Sequence, residues 1–497
     1  MSLNSARNTT PEPYTDFNGQ YINGVWRDGQ RGTVMTDINP FTQEIILEIA
    51  AANAKDLDEA YQTAAKAQIA WANTIPAERA GIISRAAAIM EARHDEIIDW
   101  LVRETGGTRL KAEIELQFTR AFTLEAASYP YRVQGKILPN DVPGKESRVY
   151  QCPLGVIGVI SPWNFPMVLS TRSVAPALAL GNAVVLKPAP DTPVCGGLLL
   201  AKIYEEAGLP PGLLNIVNGE IKDIGDAFTL HPVPRLISFT GSTKTGRQIA
   251  VLAATGTKIK RVSLELGGNA PLVVLDDADV DLAVRAAVFG RFLHQGQICM
   301  SSNRIILDAK IHDDFVEQFA AQVATLKYGD PNDPDTVIGP VINSRQLSGI
   351  LNNIKHARDE GATQILGGDP EGLVLPPHIF LNVTSNMKIA QNELFGPVAT
   401  IIKVRDDAEA LRVANDTEYG LSSAVFTRDE SRGLQFAMSM QAGMTHINDM
   451  TINDMPNSPF GGEKNSGMGR SGGEWIIHEL TTTHWITVQR TPRIYPF

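Results

Sequence analysis

The 497-residue chain has few cysteines, no long hydrophobic run and no excess of positive charge. Its three cysteines, Cys152, Cys195 and Cys299, are far apart, and without a CxxC motif or a Cys/His cluster they indicate neither a disulfide framework nor a metal site. The longest apolar stretch, VAPALALGNAVVL, is interrupted by proline and glycine and is too short to span a bilayer. The net charge of -11 disfavours a nucleic-acid partner, since phosphate binding requires a surplus of lysine and arginine.

The N-terminus, MSLNSARNTTPEPY, has no apolar segment of the kind that forms a signal peptide. Together with cysteines that we interpret as reduced, this absence predicts a cytoplasmic protein without a membrane partner.

At 43% hydrophobic residues the chain can form large cores, and its length favours roughly two to four domains.

Short apolar runs separated by helix-length segments dominate the chain from about Gly155 onward. Runs of four or five β-rich residues in this arrangement predict βαβ units and a parallel sheet, and hence the α/β class. They are VIGVI (156–160), AVVL (183–186), LNIV (214–217), LISF (236–239) and VSLEL (262–266), and a second αβ region from 270 to 445 contains PLVVL, NRIIL, VATIIKV and SSAVF. Earlier in the chain, apolar residues at three- and four-residue steps predict two amphipathic helices, over 56–71 and 76–101.

Two further segments alternate apolar and polar residues in the manner of exposed strands. They are RVQGKILPND and the C-terminal TTTHWITVQRTPRIYPF. Because an exposed strand needs a partner edge, these segments predict an oligomerisation arm.

Residues that follow the predicted strands are candidates for ligand binding, because parallel sheets bind ligands at the carboxyl ends of their strands. The loop GSTKTG, Gly241–Gly246, is expected to open a helix near Thr245 and is a candidate pyrophosphate site, although such a loop alone is more often only a tight turn. Lys187 is either a ligand of an adenosine ribose or 2′-phosphate, or an ordinary solvated lysine. The segment GMGRSG, 467–472, matches GxGxxG but follows no strand, so we interpret it as a loop that does not hold a dinucleotide.

Three residues have the chemistry that a thiol enzyme needs. Cys299 is predicted to lie where a loop enters a helix, a position that lowers a thiol pKa. Asn164, flanked by Pro162 and Pro166, would offer its amide, with the Cys299 backbone N–H, to an oxyanion. Glu265, at the end of an apolar strand, would be a desolvated general base with a raised pKa. Taken singly, Cys299 is more often a buried apolar residue and Glu265 a structural ion-pair partner.

Taken together, the motifs resemble the NAD(P)-dependent aldehyde dehydrogenase superfamily over nearly the whole chain. They are YINGVW, PLGVIGVISPWNFP, PALALGNAVVLKPA, AGLPPGLLNIVNG, FTGSTKTG, LELGGNAPLVVLDDAD, GQIC, ELFGPV and SPFGGEKNSGMGR. Within the family, GQICMS and HINDMTINDMPNSPFGG are most similar to the branch that acts on aromatic aldehydes such as benzaldehyde and vanillin.

The resemblance implies a Rossmann-like cofactor domain (1–131 and 151–265), an α/β catalytic domain (266–465) and an oligomerisation arm (132–150 and 478–497) of a homodimer or homotetramer. It implies oxidation of an aldehyde to the acid, with Cys299 as nucleophile, Asn164 as oxyanion donor and Glu265 as the base for hydrolytic water. The cofactor, NADP or NAD or both, would be held by Ile160, Trp163, Lys187, Pro190, Phe239, Gly241, Ser242, Gly246, Leu266, Glu393 and Phe395.

The chain departs from the family pattern at several positions. Pro190 stands where NAD-preferring members have a ribose-binding glutamate, and the loss of that carboxylate predicts that NADP is accepted. Ser173 and Ser471 replace a lysine and a glutamate of a proposed proton relay, so any relay must follow another path. Ile298 and Met300 flank the nucleophile where several relatives have further cysteines, and they are expected to form apolar walls.

Three alternatives stay open at this point. A coenzyme-A-dependent acylating enzyme would not need the base Glu265, which is present. A semialdehyde dehydrogenase would need a cation for the distal carboxylate, and Arg172 is the candidate. A protein on this fold that binds the cofactor without catalysis would not need the complete set of Cys299, Asn164, Glu265 and Glu393.

Overall fold

The computed structural model describes residues 11–497. The prediction that no signal peptide begins the chain concerns residues 1–14, and the first ten of these lie outside the described residues. The helices are α1 Ala54–Ala72, α2 Pro76–Ala92, α3 His94–Thr105, α4 Arg109–Ser128, α5 Pro166–Ala179, α6 Leu199–Glu206, α7 Asp226–Leu230, α8 Thr243–Thr255, α9 Val280–Phe292, α10 His312–Ala324, α11 Ser344–Asp359, α12 Lys388–Gln391, α13 Asp407–Asn415, α14 Glu430–Ser439 and α15 Gly473–Leu480.

The strands form two large sheets and two small ones. They are β1 Gln20–Ile22, β2 Val25–Arg27, β3 Val34–Ile38, β4 Ile45–Ala50, β5 Lys136–Leu138, β6 Lys145–Pro153, β7 Val156–Ile160, β8 Ala183–Lys187, β9 Leu214–Ile216, β10 Leu236–Thr240, β11 Arg261–Glu265, β12 Ala270–Val274, β13 Ser302–Asp308, β14 Thr363–Leu366, β15 His378–Leu381, β16 Val398–Val404, β17 Ser422–Phe426, β18 Met444–Ile447, β19 Gly467–Met468 and β20 Thr481–Gln489.

The first large sheet has the strand order β19-β11-β10-β7-β8-β9-β1-β2. Its five central strands are parallel, which confirms the parallel sheet predicted from the apolar runs. Strand β1 adds antiparallel to β9 at one side, and β19 adds antiparallel to β11 at the other. The strands are buried and continue into one apolar core that also contains α1, α2 and α5.

The second large sheet has the order β14-β15-β16-β13-β12-β17-β18 and is parallel apart from the β14–β15 pair. All four strands predicted in this region are present. Alternate residues of β12 face opposite sides: Val273 belongs to the core under α11 and α13, while Leu272 and Val274 belong to the core under α9 and α10. The α/β class is therefore confirmed for both regions.

The prediction of the second long helix is wrong in one respect. Residues 76–101 do not form a single helix, because α2 ends before Arg93 and α3 begins after it, and Arg93 has a non-helical φ of -107° and ψ of 24°. The Arg93 guanidinium bonds Glu96, Glu206 and the backbone carbonyl of Glu12. The apolar spacing continues across the break, so periodicity alone does not reveal it.

The two segments predicted as an arm pair with each other. Strand β6 lies antiparallel to β20 over nine residues of each, and β5 adds to the other edge of β6. This three-stranded sheet exposes several large apolar side chains. Its role in assembly, like the limits of the predicted domains, stays a prediction. Across residues 11–497, no helix has the length and apolar character needed to cross a membrane.

Candidate active site

The carboxyl ends of four neighbouring strands meet at one edge of the first sheet. The register sets Lys187 beside Ile160, Ile160 beside Phe239, and Thr240 beside Glu265. A cleft of about 680 Å³ opens at this edge. Its walls include most of the residues predicted from the sequence, namely Ile160, Trp163, Asn164, Lys187, Pro190, Phe239, Gly241, Ser242, Leu266, Cys299, Glu393 and Phe395.

The remaining two predicted residues lie directly behind the wall. Glu265 precedes the lining residues Leu266 and Gly267, and Gly246 packs against the side chain of Leu266. A side chain at position 246 would overlap Leu266, so glycine allows α8 to approach the wall of the cleft. The structure thus brings the predicted catalytic and cofactor residues together.

The loop after β10 opens helix α8 at the cleft. Ser242 caps the helix, because its hydroxyl accepts a hydrogen bond from the Thr245 N–H at 3.3 Å. The helix begins at Thr243, two residues earlier than predicted, since the cap is the serine itself. A methyl group on Gly241 would lie 2.6 Å from the Phe239 ring, so only glycine fits there. A helix N-terminus at a cleft of this size suits a pyrophosphate.

Lys187 is not the solvated surface lysine of the alternative interpretation. Its residue is only 5% exposed, and burial lowers the pKa of its ammonium to about 8. Within the described part of the chain its ammonium has neither a hydrogen-bond nor an ion-pair partner. A buried, unpaired cation in the wall of a cleft fits a ligand with hydroxyl or phosphate oxygens.

Cys299 does not begin a helix, contrary to the prediction. It lies in a turn between the 3₁₀ segment Leu293–Gly296 and strand β13. The expected lowering of the thiol pKa is also wrong: burial, with the nearby Glu393 and Glu265 carboxyls, raises the pKa of Cys299 to about 12. Arg172 and the backbone N–H of Met300 oppose the shift but do not offset the cost of burying a thiolate.

The turn before Cys299 has an unusual backbone. His294, Gln295 and Gly296 have φ values of 51°, 57° and 72°, three consecutive left-handed residues. The Gln295 amide donates to the carbonyl oxygens of Gly106 and Pro340, which ties the turn to two other loops. These tertiary hydrogen bonds compensate for a backbone that costs energy in non-glycine residues.

Asn164, in the loop after β7, contacts the loop that carries Cys299. Its side-chain nitrogen donates to the backbone carbonyl of Gln297 at 2.9 Å, two residues before Cys299. The residue is only 5% exposed and lines the cleft with Cys299. The second amide hydrogen remains available, so Asn164 can donate to an oxygen near the Cys299 thiol.

Glu265 is buried at the end of β11, as predicted. Neither carboxyl oxygen has a hydrogen-bond partner among residues 11–497. Burial raises its pKa to about 8, while Arg172 and Arg470 oppose that shift. A buried, unpartnered carboxyl with a pKa near the physiological range has the properties of a general base.

Arg172 is already paired, with the Asp454 carboxylate. Its guanidinium lies 4.0 Å from the centroid of the Phe460 ring and 5.1 Å from that of Phe122. This bond uses one terminal nitrogen of Arg172, while its Nε and its other terminal nitrogen have no hydrogen-bond partner among residues 11–497. Donors therefore remain for a distal carboxylate, and the semialdehyde alternative stays open to the comparison of substrates.

The glycine-rich segment 467–472 contributes more than a loop. Gly467 and Met468 form strand β19, which pairs with Leu264 and Glu265. The backbone at Gly467 has a φ of 155° and approaches Leu264 so closely that a side chain would overlap its carbonyl oxygen. None of its residues is among those that line the cleft, and the interpretation that the segment holds no dinucleotide stays a prediction.

The two serines that replace the relay residues make other contacts. The Ser173 hydroxyl lies 2.9 Å from that of Ser238, and the Ser471 hydroxyl donates to the Phe460 carbonyl at 3.4 Å. Neither has a hydrogen bond to Glu265 within the described chain.

Glu393 and Phe395 stand on the segment before β16. The Glu393 carboxylate accepts a hydrogen bond from the Gly268 N–H at 2.9 Å, close to Glu265 in the chain. The Phe395 ring meets Trp163 edge-on at 5.5 Å. These contacts join the second αβ region to the loop after β7 across the cleft.

Several lining residues were missed by the sequence analysis. They are Asp191, Ile221, Gly225, Asp226, Thr245, Gln248, Ile249, Leu252, Arg345 and Gln346, among others. Arg345 and Gln346 belong to the first turn of α11, far along the chain, and carry no motif. Asp191 follows Pro190 and accepts a hydrogen bond from Asn343 at 2.9 Å, so a carboxylate remains near the proline.

The family model described as "Aldehyde dehydrogenase family" matches residues 26–486 of this chain, and this match decides the family. The chain belongs to the aldehyde dehydrogenase family. It is 52% identical to a vanillin dehydrogenase of Corynebacterium glutamicum over 96% of this chain and 98% of that relative. The family and the branch suggested by the motifs are thereby confirmed.

Solved aldehyde dehydrogenases have the same fold. An NAD-dependent benzaldehyde dehydrogenase from Corynebacterium glutamicum is 49% identical with a TM-score of 0.89, over 96% of this chain and 99% of that one. A salicylaldehyde dehydrogenase from Pseudomonas putida G7, complexed with salicylaldehyde, is 39% identical with a TM-score of 0.93, over the same shares.

Proposed function

We propose that this aldehyde dehydrogenase oxidises an aromatic aldehyde to the corresponding carboxylic acid, with NAD or NADP as cofactor. One observation carries the proposal: Cys299, Asn164 and Glu393 converge on a single cleft, and the buried carboxyl of Glu265 lies directly behind its wall. A thiol, an amide donor and an unpartnered base are the groups that oxidation through a thioester requires.

Each residue has a distinct task. The Cys299 thiol gives its proton to water, and its sulfur attacks the aldehyde carbon, while the Asn164 amide and the Cys299 backbone N–H stabilise the oxyanion of the thiohemiacetal. Collapse of this oxyanion breaks the C–H bond of the former aldehyde, releases a hydride and leaves the thioester. The bound cofactor supplies the hydride acceptor. Glu265 then takes a proton from water, which hydrolyses the thioester and releases the acid.

The surroundings of Cys299 favour a flat, apolar substrate. An apolar cluster of Leu293, Ile298, Met300, Leu421 and Phe460 packs together, with Phe165 and Cys299 against it. None of the five is among the residues that line the cleft, so the place of Ile298 and Met300 in the walls of the aldehyde pocket stays a prediction. Apolar walls bind aromatic rings through buried area with few polar demands. The named substrates of the similar proteins, vanillin, benzaldehyde and salicylaldehyde, are all aromatic aldehydes.

The cofactor residues fit either NAD or NADP. Lys187 is a buried cation without a partner in residues 11–497, Pro190 stands in place of the glutamate that favours NAD, and the carboxylate of the next residue, Asp191, is held by Asn343. We therefore expect measurable activity with both cofactors. Assembly as a homodimer or homotetramer and a cytoplasmic location remain predictions from the sequence.

The test measures initial rates with benzaldehyde, vanillin, an aliphatic aldehyde and succinic semialdehyde, each with NAD and with NADP. We expect kcat/KM for the aromatic aldehydes to exceed that for the semialdehyde by about tenfold or more. A preference for the semialdehyde would overturn the aromatic assignment, and a product that forms only with coenzyme A would overturn hydrolysis.

Cys299→Ala tests the assignment of the nucleophile, because it removes the thiol and keeps the rest of the cleft. We expect aldehyde-dependent reduction of the cofactor to disappear while cofactor binding persists. If reduction survives in Cys299→Ala, the assignment of the nucleophile is wrong.

A further inference from the structure

Two arginines are fully buried in the second αβ region, Arg291 and Arg304. Burying a guanidinium is costly unless its nitrogens are satisfied, so each must have a structural or functional reason. Arg304 has a structural one: its three nitrogens donate to the carbonyls of Asn269, Val413 and Ala414 at 3.1, 2.8 and 2.8 Å, and two of these end helix α13.

Arg291 makes different contacts, at the two ends of a segment that contains the predicted cofactor residues Glu393 and Phe395. One terminal nitrogen donates to the backbone carbonyl of Gly396, and the other donates to the Asn303 side chain at 3.0 Å. The Asn303 amide donates in turn to the backbone carbonyl of Asn392 at 2.9 Å. Arg291 therefore holds the segment Asn392–Gly396 at both ends, directly at Gly396 and through Asn303 at Asn392.

The segment held in this way contains two of the residues assigned to the cofactor. Glu393 and Phe395 lie between the anchored carbonyls, and Phe395 has a left-handed φ of 49°. Such a backbone persists only where surrounding contacts determine it. Arg291 also lies against the turn before the nucleophile, since a side chain at Gly296 would overlap both Gly396 and the Arg291 guanidinium.

From these contacts we propose that Arg291 is a positioning residue for the cofactor: it fixes the Asn392–Gly396 segment and keeps the Glu393 carboxylate charged. The inference rests on the proposed function, in which Glu393 is a cofactor residue, and on the family resemblance, which implies that Glu393 holds the nicotinamide ribose. An ionised carboxylate accepts from two hydroxyls, whereas a protonated one has lost part of that capacity.

The charges around Glu393 support the electrostatic part of this role. Burial raises the pKa of Glu393 to about 7, and the Gly268 N–H and Arg291 oppose the shift. The other titratable groups that face Glu393 are the Cys299 thiol and the Tyr419 hydroxyl, and both are neutral near pH 7 because their own pKa values are raised to about 12. Arg291 is thus the nearby cation that stabilises the carboxylate.

The experiment measures the dissociation constant of NAD between about pH 6 and pH 9, from the quenching of tryptophan fluorescence, without aldehyde. In the unaltered protein we expect affinity to fall as the pH drops through about 7, where Glu393 takes up a proton. In Arg291→Met the pKa of Glu393 rises, so the same loss should occur about one pH unit higher, with roughly fivefold weaker binding at pH 7 from the change in ionisation.

Arg304→Met is the matched control, because it also removes a fully buried guanidinium. We expect it to lower the thermal unfolding midpoint and to leave the pH midpoint of NAD binding unchanged. An equal pH shift in Arg304→Met, or none in Arg291→Met, overturns the proposal.

Arg291→Lys tests the geometry of the guanidinium apart from its charge, and it replaces Arg291→Met in the experiment if that variant does not fold. Lysine keeps the charge but cannot reach both Gly396 and Asn303 as a planar fork does. We expect weaker NAD binding at every pH with an unchanged midpoint, and unaltered affinity would overturn the positioning role.

Glu393→Gln distinguishes the failure of the proposed function from the failure of the Arg291 inference. If Glu393→Gln binds NAD normally, the assignment of Glu393 to the cofactor fails. Normal behaviour of the Arg291 variants alone overturns only the inference about Arg291.

Discussion

At the scale of single residues, the site is governed by the ionisation of buried groups. Glu265 acts as a base only when it is a carboxylate, and burial raises its pKa to about 8. The charged form is therefore present above about pH 8 and is lost as the pH falls through that value. Where hydrolysis of the thioester limits turnover, the steady-state rate should rise with pH in the same range.

Glu265→Gln should separate the two halves of the reaction. We expect a burst of reduced cofactor to persist, because the thiol step does not need the base, while steady-state turnover falls by roughly 10² to 10⁴. Stopped-flow absorbance of the reduced cofactor measures both phases. In Glu479→Gln, which removes a carboxyl that raises the Glu265 pKa, turnover should persist with its pH midpoint moved downward. A normal steady state in Glu265→Gln would contradict the base assignment.

The burial of Glu265 could be predicted from its place at the end of an apolar strand, whereas the setting of Cys299 could not. A carboxyl that follows VSL in a parallel sheet is buried by local sequence alone. The turn through His294, Gln295 and Gly296 depends on hydrogen bonds that the Gln295 amide donates to the carbonyls of Gly106 and Pro340, 189 and 45 residues away in the chain. No local pattern contains those partners, so the turn resembled a helix entrance.

At the scale of elements, helix α5 determines where Asn164 lies. The helix begins at Pro166, two residues after Asn164, and its first free N–H groups, those of Met167 and Val168, donate to the Glu115 carboxylate at 2.8 and 3.3 Å. Glu115 also pairs with Lys111 at 2.5 Å, and both side chains are fully buried. This contact ties the start of α5 to α4.

Glu115→Gln should therefore be destabilising and should also impair catalysis. Lys111 would keep its charge in a buried site without a carboxylate, and breaking a buried pair in this way costs about 3 to 5 kcal/mol. We expect a lower thermal unfolding midpoint and a reduced kcat, because Asn164 loses its support. Glu113→Gln on the exposed face of α4 is the control and should change stability by less than about 0.5 kcal/mol. Equal stability of the two variants would contradict this role.

Strands β7 to β13, β16 and β17 of the two large sheets were predictable because buried parallel strands are continuous apolar runs. The hairpin β1–β2 was missed although YINGVW contains Asn23-Gly24, a dipeptide typical of tight hairpin turns, and both residues have a positive φ. Strand β19 was not predictable, since its two residues pair only because Glu265 and its neighbours offer a free edge. Short edge strands depend on the sheet that they join.

At the scale of the whole molecule, the sheet of β5, β6 and β20 projects exposed apolar side chains. Ile137 is 76% exposed and Trp485 is 63% exposed, on strands that pair with β6 from opposite sides. An exposed sheet with such side chains needs a partner surface to avoid uncontrolled association. The alternation of the two segments was visible in the sequence, but their pairing with each other, more than 300 residues apart, was not.

We therefore expect the double substitution Ile137→Lys and Trp485→Lys to disrupt assembly. The register sets Trp485 beside Val149 and Ile137 beside Arg148, so the two side chains lie on opposite faces of the sheet. A lysine on each face brings unpaired positive charge to whichever face makes the contact, which disfavours association without disturbing a buried core. Light scattering coupled to gel filtration should give the mass of a single chain for this variant and a twofold or fourfold mass for the unaltered protein. Met438→Lys, at another highly exposed apolar position on α14, should leave the mass unchanged. If the double variant keeps the larger mass, the three-stranded sheet is not the assembly surface, and the exposed side chains of other elements become the next candidates.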